Sequence, residues 1–427
     1  MQNTIAFVLA GGRVDELSVL THYTPKSGLT FGGCFRIIDF PLTYLLKSNI
    51  QVVGVLAQFR ASSLIDHLGS GESWDFIGKN RVLKVLPPSK GQTTGDWYKG
   101  TADAVYQNID FIEQHNPDYV LVLSGDHVIT LDYHDVVRQH ITSKADLTIG
   151  FVEVPQQEAS RYGIGVLDEN LNLVSYEEKP RRPKSNLASL TVYVFNRDVL
   201  VKELRKNAET GKSHEFGKDI IPAMLGNYKI MGYLYKGFWG YTRTVEEYYN
   251  ANFMLLEENP PLDIFKLDLR TNIKHRGIGD RPPALFYTPS EAVHSLISNG
   301  CIIKGKVEHS ILSPGVIVEK GAHVVDSIIF HDTIIGEGTT VSKCIVDKDV
   351  RIGRNTVVGW GEDLKANEEY PKLLYSGITL VGRSARIPDG TRIGRNVVVY
   401  PYVQESDFSL NTIDSGGVVK EVEQSKV

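Results

Sequence analysis

An aspartate that follows a buried strand is the residue of this sequence best suited to metal-dependent phosphate chemistry. The apolar run Tyr119–Leu123 is typical of a buried strand, and Ser124-Gly125-Asp126-His127 comes directly after it. Because ligands of open α/β sheets bind beyond the carboxyl ends of the strands, Asp126 is expected at that edge. A carboxylate there can hold Mg²⁺, although an aspartate that only caps a loop would give the same pattern.

A pair of glycines follows the first predicted strand, in the run Leu9-Ala10-Gly11-Gly12-Arg13. Glycine at this point lets the backbone come close to a phosphate. The spacing is not Gly-x-Gly-x-x-Gly, and no Gly-Lys-Ser/Thr loop occurs in the chain. A dinucleotide-binding fold and a P-loop ATPase are therefore disfavoured. Taken by itself, the pair is equally compatible with a tight turn.

The elements that must position these residues alternate along the N-terminal part of the chain. A mostly parallel α/β sheet with helices on both faces is the fold that such alternation predicts. The predicted strands are Ile5–Leu9, Val52–Leu56, Tyr119–Leu123 and Leu147–Phe151, and the predicted helices include Thr101–His115 and Tyr133–Ser143.

The C-terminal part of the chain repeats at fixed intervals. Ser310-Ile311-Leu312 recurs as Ser327-Ile328-Ile329 and Cys344-Ile345-Val346, each time after 17 residues. Three apolar residues at six-residue steps in each unit indicate a triangular coil, the left-handed parallel β-helix of the hexapeptide type. An ordinary antiparallel sandwich would not keep this phase. The residues expected to point inward are Leu312, Val318, Val324, Ile329, Ile335, Val341, Val346, Ile352, Val358, Ile387, Ile393 and Val399.

These patterns divide the chain into three parts. Residues 1–255 are predicted to form the α/β domain, 256–298 a linker containing Arg281-Pro282-Pro283, and 299–427 the β-helix. A chain of 427 residues favours two or three domains at roughly 150 residues each. The β-helix itself suggested a third class of function, a hexapeptide acyltransferase. His309, His323 and His331 are expected to be exposed turn residues, which disfavours that class.

Composition excludes several other classes of protein. A formal net charge of −5 gives no basic surface for nucleic acid. Three scattered cysteines are too few for a disulfide framework and indicate a reducing compartment. No apolar run approaches the roughly 20 residues of a membrane helix, and no signal peptide is recognisable. We therefore expect a cytoplasmic protein without a membrane partner.

A series of motifs gives the chain a closer resemblance. It closely resembles the bacterial and plant glucose-1-phosphate adenylyltransferases, also called ADP-glucose pyrophosphorylases, over nearly its whole length. The motifs are Ala10-Gly11-Gly12-Arg13, Phe31-Gly32-Gly33, Phe35-Arg36-Ile37-Ile38-Asp39-Phe40, Trp97-Tyr98-Lys99-Gly100-Thr101-Ala102-Asp103-Ala104-Val105, Ser124-Gly125-Asp126-His127, Tyr162-Gly163, Glu178-Lys179-Pro180, Leu187-Ala188-Ser189 and Ser213-His214-Glu215-Phe216-Gly217-Lys218-Asp219.

The resemblance implies an activity and a set of site residues. Members join ATP to glucose 1-phosphate with Mg²⁺, release pyrophosphate, and supply ADP-glucose for glycogen or related glucans. Lys26, Asp126 and Arg13 would be catalytic, and Asp126 would bind the metal. The nucleotide would be bound by Ala10, Gly11, Gly12 and Gly100, and glucose 1-phosphate by Tyr98, Gly163, Glu178, Lys179 and Ser189.

Several positions depart from the family pattern. The loop Gly-Gly-x-Gly-x-Arg-Leu carries Val14 in place of its third glycine and Glu16 in place of its arginine. The pattern Trp-Arg-Asp-Val-Gly-Thr becomes Trp239-Gly240-Tyr241-Thr242-Arg243-Thr244, so Tyr241 stands where a second metal-binding aspartate is expected. Thr191 replaces a glycine, and Cys34 replaces a lysine that many bacterial members use for a phosphorylated activator.

These departures leave two functions open. The chain is either a working adenylyltransferase or a catalytically silent regulatory subunit that acts with an active paralogue. Replacing attraction by repulsion near the triphosphate would cost several kcal/mol, because one unit-charge pair at ~4 Å is worth about 4 kcal/mol. Family resemblance implies a homo- or hetero-tetramer. Allosteric control is left open by Cys34, even though Gln58 and Trp97 match residues linked to activation.

Overall fold

The chain divides into two compact units. The computed structural model describes residues 3–12, 14–88 and 97–421. One unit comprises Met1–Gly12, Pro25–Ser27 and Ile37–Gly240, and the other comprises Arg13–Thr24, Gly28–Arg36 and Tyr241–Val427. Two short N-terminal segments therefore belong to the unit that carries the C-terminal repeats. The boundaries at residues 255 and 299 stay predictions.

A nine-stranded sheet forms the first unit within the described residues. Its strands are β1 (Thr4–Leu9), β2 (Val52–Leu56), β3 (Val82–Leu86), β4 (Tyr119–Ser124), β5 (Leu147–Glu153), β6 (Gly163–Leu167), β7 (Leu173–Glu178), β8 (Leu187–Asn196) and β9 (Ile230–Tyr235).

The sheet combines a parallel part with an antiparallel part. Its order is β7-β6-β8-β4-β1-β2-β3, and β5 pairs with both β8 and β9. Strands β1, β2, β3 and β4 are parallel to their neighbours in that group, as are β5 and β9. Strand β8 runs antiparallel to β4, β5 and β6. The carboxyl ends of β1, β2 and β4 therefore meet at one edge of the sheet.

Both faces of this sheet are buried. Ile5 and Phe7 of β1 pack into one apolar cluster, while Ala6 and Val8 pack into another. Successive side chains of a strand point to opposite faces, so an uninterrupted apolar strand needs cover on both sides. The sequence predicted this arrangement from its continuous apolar runs.

Helices surround the sheet. The helices of this unit are α1 (Asp39–Lys47), α2 (Ser62–Leu68), α3 (Thr101–Tyr106), α4 (Ile109–His115), α5 (Tyr133–Ser143), α6 (Arg197–Ala208) and α7 (Ile221–Met224), with a π-helical turn, Phe216–Ile220, directly before α7. The predicted helix Thr101–His115 is two helices, and α5 has the predicted bounds.

Short parallel strands form three sheets in the second unit. The first contains Leu285–Phe286, Ile302–Ile303, Ile317–Val318, Ile334–Ile335, Arg351–Ile352 and Arg386–Ile387. The second contains Glu291–Val293, Lys306–Glu308, His323–Val325, Thr340–Ser342, Val357–Val358, Arg392–Ile393 and Thr412–Ile413. The third contains Leu296–Ile297, Ile311–Leu312, Ile328–Ile329, Cys344–Val346, Thr379–Val381, Val398–Val399 and Val418–Val419.

This is the architecture of the predicted left-handed parallel β-helix. All twelve residues expected to point inward are at most 2% exposed. The pairings Val318 with Ile335 and Ile335 with Ile352 stack equivalent residues of successive coils. Parallel pairing begins at Leu285, within the segment predicted as linker. The second unit also contains helix α8 (Val245–Phe253) and a hairpin of Thr30–Phe31 with Phe35–Arg36.

The prediction for the three histidines was wrong in one case and incomplete in another. His331 is buried, with 3% of its surface exposed. Burial, followed by the nearby charges of Lys348 and Arg36, places the pKa of His331 well below its ordinary value. His323 lies in a strand and pairs with Glu308. The six-residue repeat identifies the apolar residues that point inward. It does not tell which polar residues of a coil are buried.

Over the described ranges of the chain, no helix combines the length and the apolar character needed to cross a membrane.

Candidate active site

Asp126 and Lys26 form an ion pair at the carboxyl edge of the parallel strands. Asp126 comes two residues after β4, and Lys26 begins a short 3₁₀ turn. Lys26 Nζ lies 3.1 Å from Asp126 Oδ2. The lysine is 3% exposed whereas the aspartate side chain is 30% exposed. A buried lysine is retained only with a partner, so the contact fixes the direction of both side chains.

Neighbouring groups keep Asp126 ionised. Burial alone would raise its pKa, but Lys26, His127 and a hydrogen bond donated by Ser124 Oγ lower it below the ordinary value. His127 Nε2 lies 3.5 Å from Asp126 Oδ1. Burial lowers the pKa of His127 to about 4 despite the attraction of Asp126. At neutral pH the site therefore holds an ionised carboxylate at Asp126 and a neutral imidazole at His127.

The glycine pair lies beside the end of β2. Ala10 N donates to Leu56 O at 2.9 Å, and Phe59 N donates to Gly11 O at 3.3 Å. A Cβ on Gly11 would lie 3.1 Å from the backbone nitrogen of Gln58, whereas one on Gly12 would meet open space. Gly11 is therefore needed for packing between the two strand ends, and Gly12 leaves room for a ligand. Arg13 lies outside the described residues.

The segment containing Tyr98 and Gly100 is tied to its own unit. Tyr98 Oη donates to Leu86 O at 2.9 Å and accepts from Asn108 Nδ2 at 3.0 Å. A Cβ on Gly100 would collide with the carbonyl oxygens of Ser213 and His214. The absence of a side chain at Gly100 is therefore explained by close backbone approach. Its predicted nucleotide contact stays a prediction.

Three of the five residues predicted for the sugar phosphate surround one pair of tyrosines. Tyr176 Oη donates to Glu178 Oε2 at 3.3 Å, and a Cβ on Gly163 would collide with Tyr176 Oη and lie 2.7 Å from Glu178 Oε2. Ser189 Oγ donates to Tyr193 Oη at 3.5 Å. Burial raises the pKa of Glu178, although Lys179 opposes the shift. The structure thus gathers Gly163, Glu178 and Ser189.

Lys179 extends from this group at the surface. Its backbone has a φ of 48°, and its nitrogen donates to Tyr162 O at 3.0 Å. The exposed side chain is near enough to Glu178 to affect the pKa of that carboxyl group. An exposed ammonium beside a half-buried carboxylate is suited to a substrate that carries both phosphate and hydroxyl groups.

Comparison with known proteins establishes the family of the chain. Residues 5–258 match the nucleotidyl transferase family model, and residues 282–381 match a GlmU-like C-terminal hexapeptide model. A glucose-1-phosphate adenylyltransferase of Acetivibrio thermocellus is 42% identical over 97% of both chains. The chain belongs to the glucose-1-phosphate adenylyltransferase family. Relatives of the same name from Thermomicrobium roseum and Thermotoga neapolitana are 42% and 40% identical, and each comparison covers at least 98% of both chains.

One departure from the family pattern has a clear backbone consequence. Thr191, in place of the family glycine, has a φ of 52°. It lies within an irregularity of β8 between Ser189 and Tyr193, where the register with β5 shifts. A β-branched residue is poorly suited to a positive φ. This chain therefore has a strained threonine where the strand is irregular.

A second departure is compensated within the second unit. Glu16 Oε1 accepts from Arg243 Nε at 2.8 Å and lies 2.7 Å from Arg243 Nη2. Sequence reasoning identified Glu16 and Tyr241 as departures but missed Arg243 as the partner of Glu16. The sequence did contain a signal for this pair, because the chain has a negative charge at position 16 and a positive charge at position 243 where the family pattern has neither. Tyr241 also forms a hydrogen bond with Arg243 that helps to raise the pKa of the arginine.

The residues present fit a hard divalent cation at Asp126. Its carboxylate is ionised and partly exposed, and Mg²⁺ is commonly held by one or two carboxylates with phosphate oxygens. Among the described residues, three potential ligands, Asp132, His134 and Asp135, also lie within 4.8 Å of one another at the start of α5. That group does not include Asp126, and exposed acidic groups are common without a metal.

Proposed function

We propose that this chain transfers AMP from ATP to glucose 1-phosphate, forming ADP-glucose and pyrophosphate for glycogen or related glucan synthesis. The observation that carries the proposal is the Lys26–Asp126 pair at 3.1 Å, located at the sheet edge where β1 ends and the glycine pair follows. Relatives about 40% identical over nearly the whole chain are named for that same activity.

The reaction needs charge neutralisation more than proton transfer. A phosphate oxygen of glucose 1-phosphate forms a bond to the α-phosphorus of ATP, while the α–β anhydride bond breaks and pyrophosphate leaves. Such a transition state is stabilised by cations and backbone donors placed around the phosphates. Lys26 supplies a fixed ammonium, and Gly12 leaves space for the phosphate chain. The low pKa of His127 keeps the imidazole neutral, so it adds no charge at working pH.

Mg²⁺ is the proposed cofactor, held by Asp126. When bound, the ion would neutralise phosphate charge and orient the pyrophosphate leaving group. Contacts with Ser124, Lys26 and His127 orient the carboxylate of Asp126. Tyr241 provides no carboxylate for a second ligand. The remaining ligands would therefore be phosphate oxygens and water, as is common for this ion.

Glucose 1-phosphate is the proposed acceptor, bound by Tyr98, Gly163, Glu178, Lys179 and Ser189. Glu178 and Ser189 present hydrogen-bonding groups to sugar hydroxyls, while the exposed ammonium of Lys179 suits the phosphate. The raised pKa of Glu178 reflects its burial. ATP is the proposed nucleotide, with Ala10, Gly11, Gly12, Gly100 and Arg13 as its contacts.

The regulatory-subunit alternative depends on the departures at Val14, Glu16 and Tyr241. The ion pair of Glu16 with Arg243 removes one of its supports, because Glu16 is neutralised rather than left to repel a triphosphate. We therefore favour the catalytic function. We further propose a tetramer under allosteric control in the cytoplasm, with identical or paralogous subunits.

Release of pyrophosphate from ATP and glucose 1-phosphate tests the function directly. With Mg²⁺ present, the purified chain should release pyrophosphate, and Asp126→Asn should lower kcat by roughly 100-fold or more, the scale for removing one preorganised electrostatic group. Asp110→Asn is the matched control, since Asp110 is exposed on α4. An inactive native chain that Glu16→Arg, Arg243→Gly and Tyr241→Asp together activate would instead establish the regulatory function.

A further inference from the structure

The segment that follows the glycine pair is attached to the start of α8 by a charged contact. Glu16 Oε1 meets two nitrogens of the same guanidinium, Arg243 Nε at 2.8 Å and Nη2 at 2.7 Å. Within the same segment, Thr21 Oγ1 donates to Val14 O at 2.7 Å. A hydrogen bond thus joins the two ends of the segment from Val14 to Thr21, and the carboxylate of Glu16 attaches the segment to Arg243.

Arg243 is itself held at a defined position. Its backbone nitrogen donates to Glu247 Oε2 at 3.1 Å, and the same oxygen accepts from Thr244 N at 2.9 Å. Glu247 N donates to Thr244 Oγ1 at 3.2 Å, which completes a capping box at the start of α8. A capping box satisfies two orphan donors and fixes the entry of the chain. Arg243 therefore projects from a rigid helix start.

The opposite charges of this contact come from two departures from the family pattern. The family pattern has an arginine at position 16 and a glycine at position 243, while this chain has a glutamate and an arginine there. The side chains of Glu16 and Arg243 are 31% and 40% exposed. Without Arg243, Glu16 would place an uncompensated negative charge four residues after Gly12 in the sequence. Such a charge opposes the binding of a triphosphate.

We propose that Arg243 is a positioning residue for ATP binding, acting through Glu16 to neutralise and immobilise residues 14–21. This proposal rests on the proposed adenylyl transfer. Arg243 offsets the negative charge of Glu16, so the pair is neutral, and Tyr241 supports the guanidinium by a hydrogen bond. The expected consequence is specific for the nucleotide and leaves recognition of glucose 1-phosphate unchanged.

Steady-state kinetics of four variants test this role. Arg243→Gln should raise KM for ATP roughly tenfold with little change in KM for glucose 1-phosphate. Arg243→Lys should keep most of the affinity because it keeps the charge. Glu16→Gln with Arg243→Gln should recover an intermediate or native KM, since the unpaired carboxylate is gone. Arg205→Gln is the control, because Arg205 forms a more exposed arginine–glutamate ion pair, with Glu113 at 2.9 Å.

Hydrogen–deuterium exchange of residues 14–24 gives a readout that does not depend on catalysis. Arg243→Gln should increase exchange there, while Arg205→Gln should not. If the native chain neither binds ATP nor releases pyrophosphate, the proposed function fails and the role of Arg243 in ATP binding fails with it, whereas faster exchange in Arg243→Gln would still show that Arg243 immobilises residues 14–24. Unchanged exchange and unchanged KM for ATP in Arg243→Gln would overturn it. So would a double variant as impaired as the single one.

Discussion

At the scale of single residues, the protonation and packing of the candidate site residues in the first unit depend on a few close neighbours. Lys26 is buried against Asp126, and His127 stays neutral because burial lowers its pKa to about 4. Gly163 has no room for a side chain beside Tyr176 and Glu178. Such residues cannot change independently of their neighbours, so substitutions at them give clear tests of the site.

Gly163→Ala is expected to disturb the proposed sugar-phosphate site. The added methyl would collide with Tyr176 Oη, so the ring and the Glu178 carboxylate must move. Overpacking of this kind typically costs about 1–3 kcal/mol of stability. We expect KM for glucose 1-phosphate to rise at least tenfold while KM for ATP stays within about twofold, as measured by initial rates.

Gly211→Ala serves as the control for that substitution. A Cβ on Gly211 would meet no atom within 4 Å. The variant should therefore match the native chain in both KM values. An equal loss of affinity for both substrates in Gly163→Ala would contradict a local effect at Glu178 and would indicate general destabilisation of the fold.

At the scale of elements, the irregularity in β8 concentrates strain near Ser189. The strand pairs with β5 on both sides of this point, but the register shifts between Ser189 and Tyr193. Thr191 takes a φ of 52° there, and its backbone nitrogen donates to Ser189 Oγ at 3.4 Å. Strained backbone near a binding group persists only where the surroundings impose it. Two packed strands impose it here.

Thr191→Gly is expected to stabilise the chain. A left-handed backbone costs an L-residue roughly 1–2 kcal/mol, and the greater freedom of glycine in the unfolded chain offsets part of the gain. The net increase in the free energy of unfolding should be about 1 kcal/mol, measured from urea denaturation. Thr191→Ala keeps the Cβ and should gain less. Equal stability of the two variants would show that the positive φ carries no penalty.

At the scale of the whole molecule, the second unit buries charge as well as aliphatic side chains. Lys348 is 5% exposed. Burial, then Arg36, lower its pKa to about 7, with Arg383 and Arg276 acting in the same direction and Asp347 opposing them. At every pH below the ordinary pKa of lysine, folding must either bury the charged ammonium or release its proton, and both weaken the fold. The stability of the unit should therefore depend on pH.

Lys348→Met should raise the midpoint of thermal unfolding at pH 7 by roughly 2–4 °C, which corresponds to about 1 kcal/mol in a unit of this size. Between pH 7 and the ordinary lysine pKa of 10.5, the unfolded chain binds more protons at this group than the folded chain, so native stability rises with pH. The advantage of the variant should shrink across that range. Lys320→Met, at an exposed position, should show no such trend.

The repeat unit and the main strands were determined by the sequence itself. Inward residues of the β-helix recur every six positions, and each is buried because that period matches the sides of the coil. Strand β2 has the predicted bounds, because a continuous apolar run between polar segments is buried on both faces when it forms a central strand of a covered sheet. Asp126 could be placed at the carboxyl edge for the same reason.

Tertiary structure alone decided which side chains meet across long stretches of chain. The pairing of Glu16 with Arg243 joins residues 227 positions apart, and no local pattern specifies such a contact. Position 191 could be recognised as unusual, but only the register shift between two strands explains why glycine suits it. Burial of His331 was likewise invisible in the repeat. Local periodicity fixes elements, whereas charge pairing and backbone strain depend on how those elements pack.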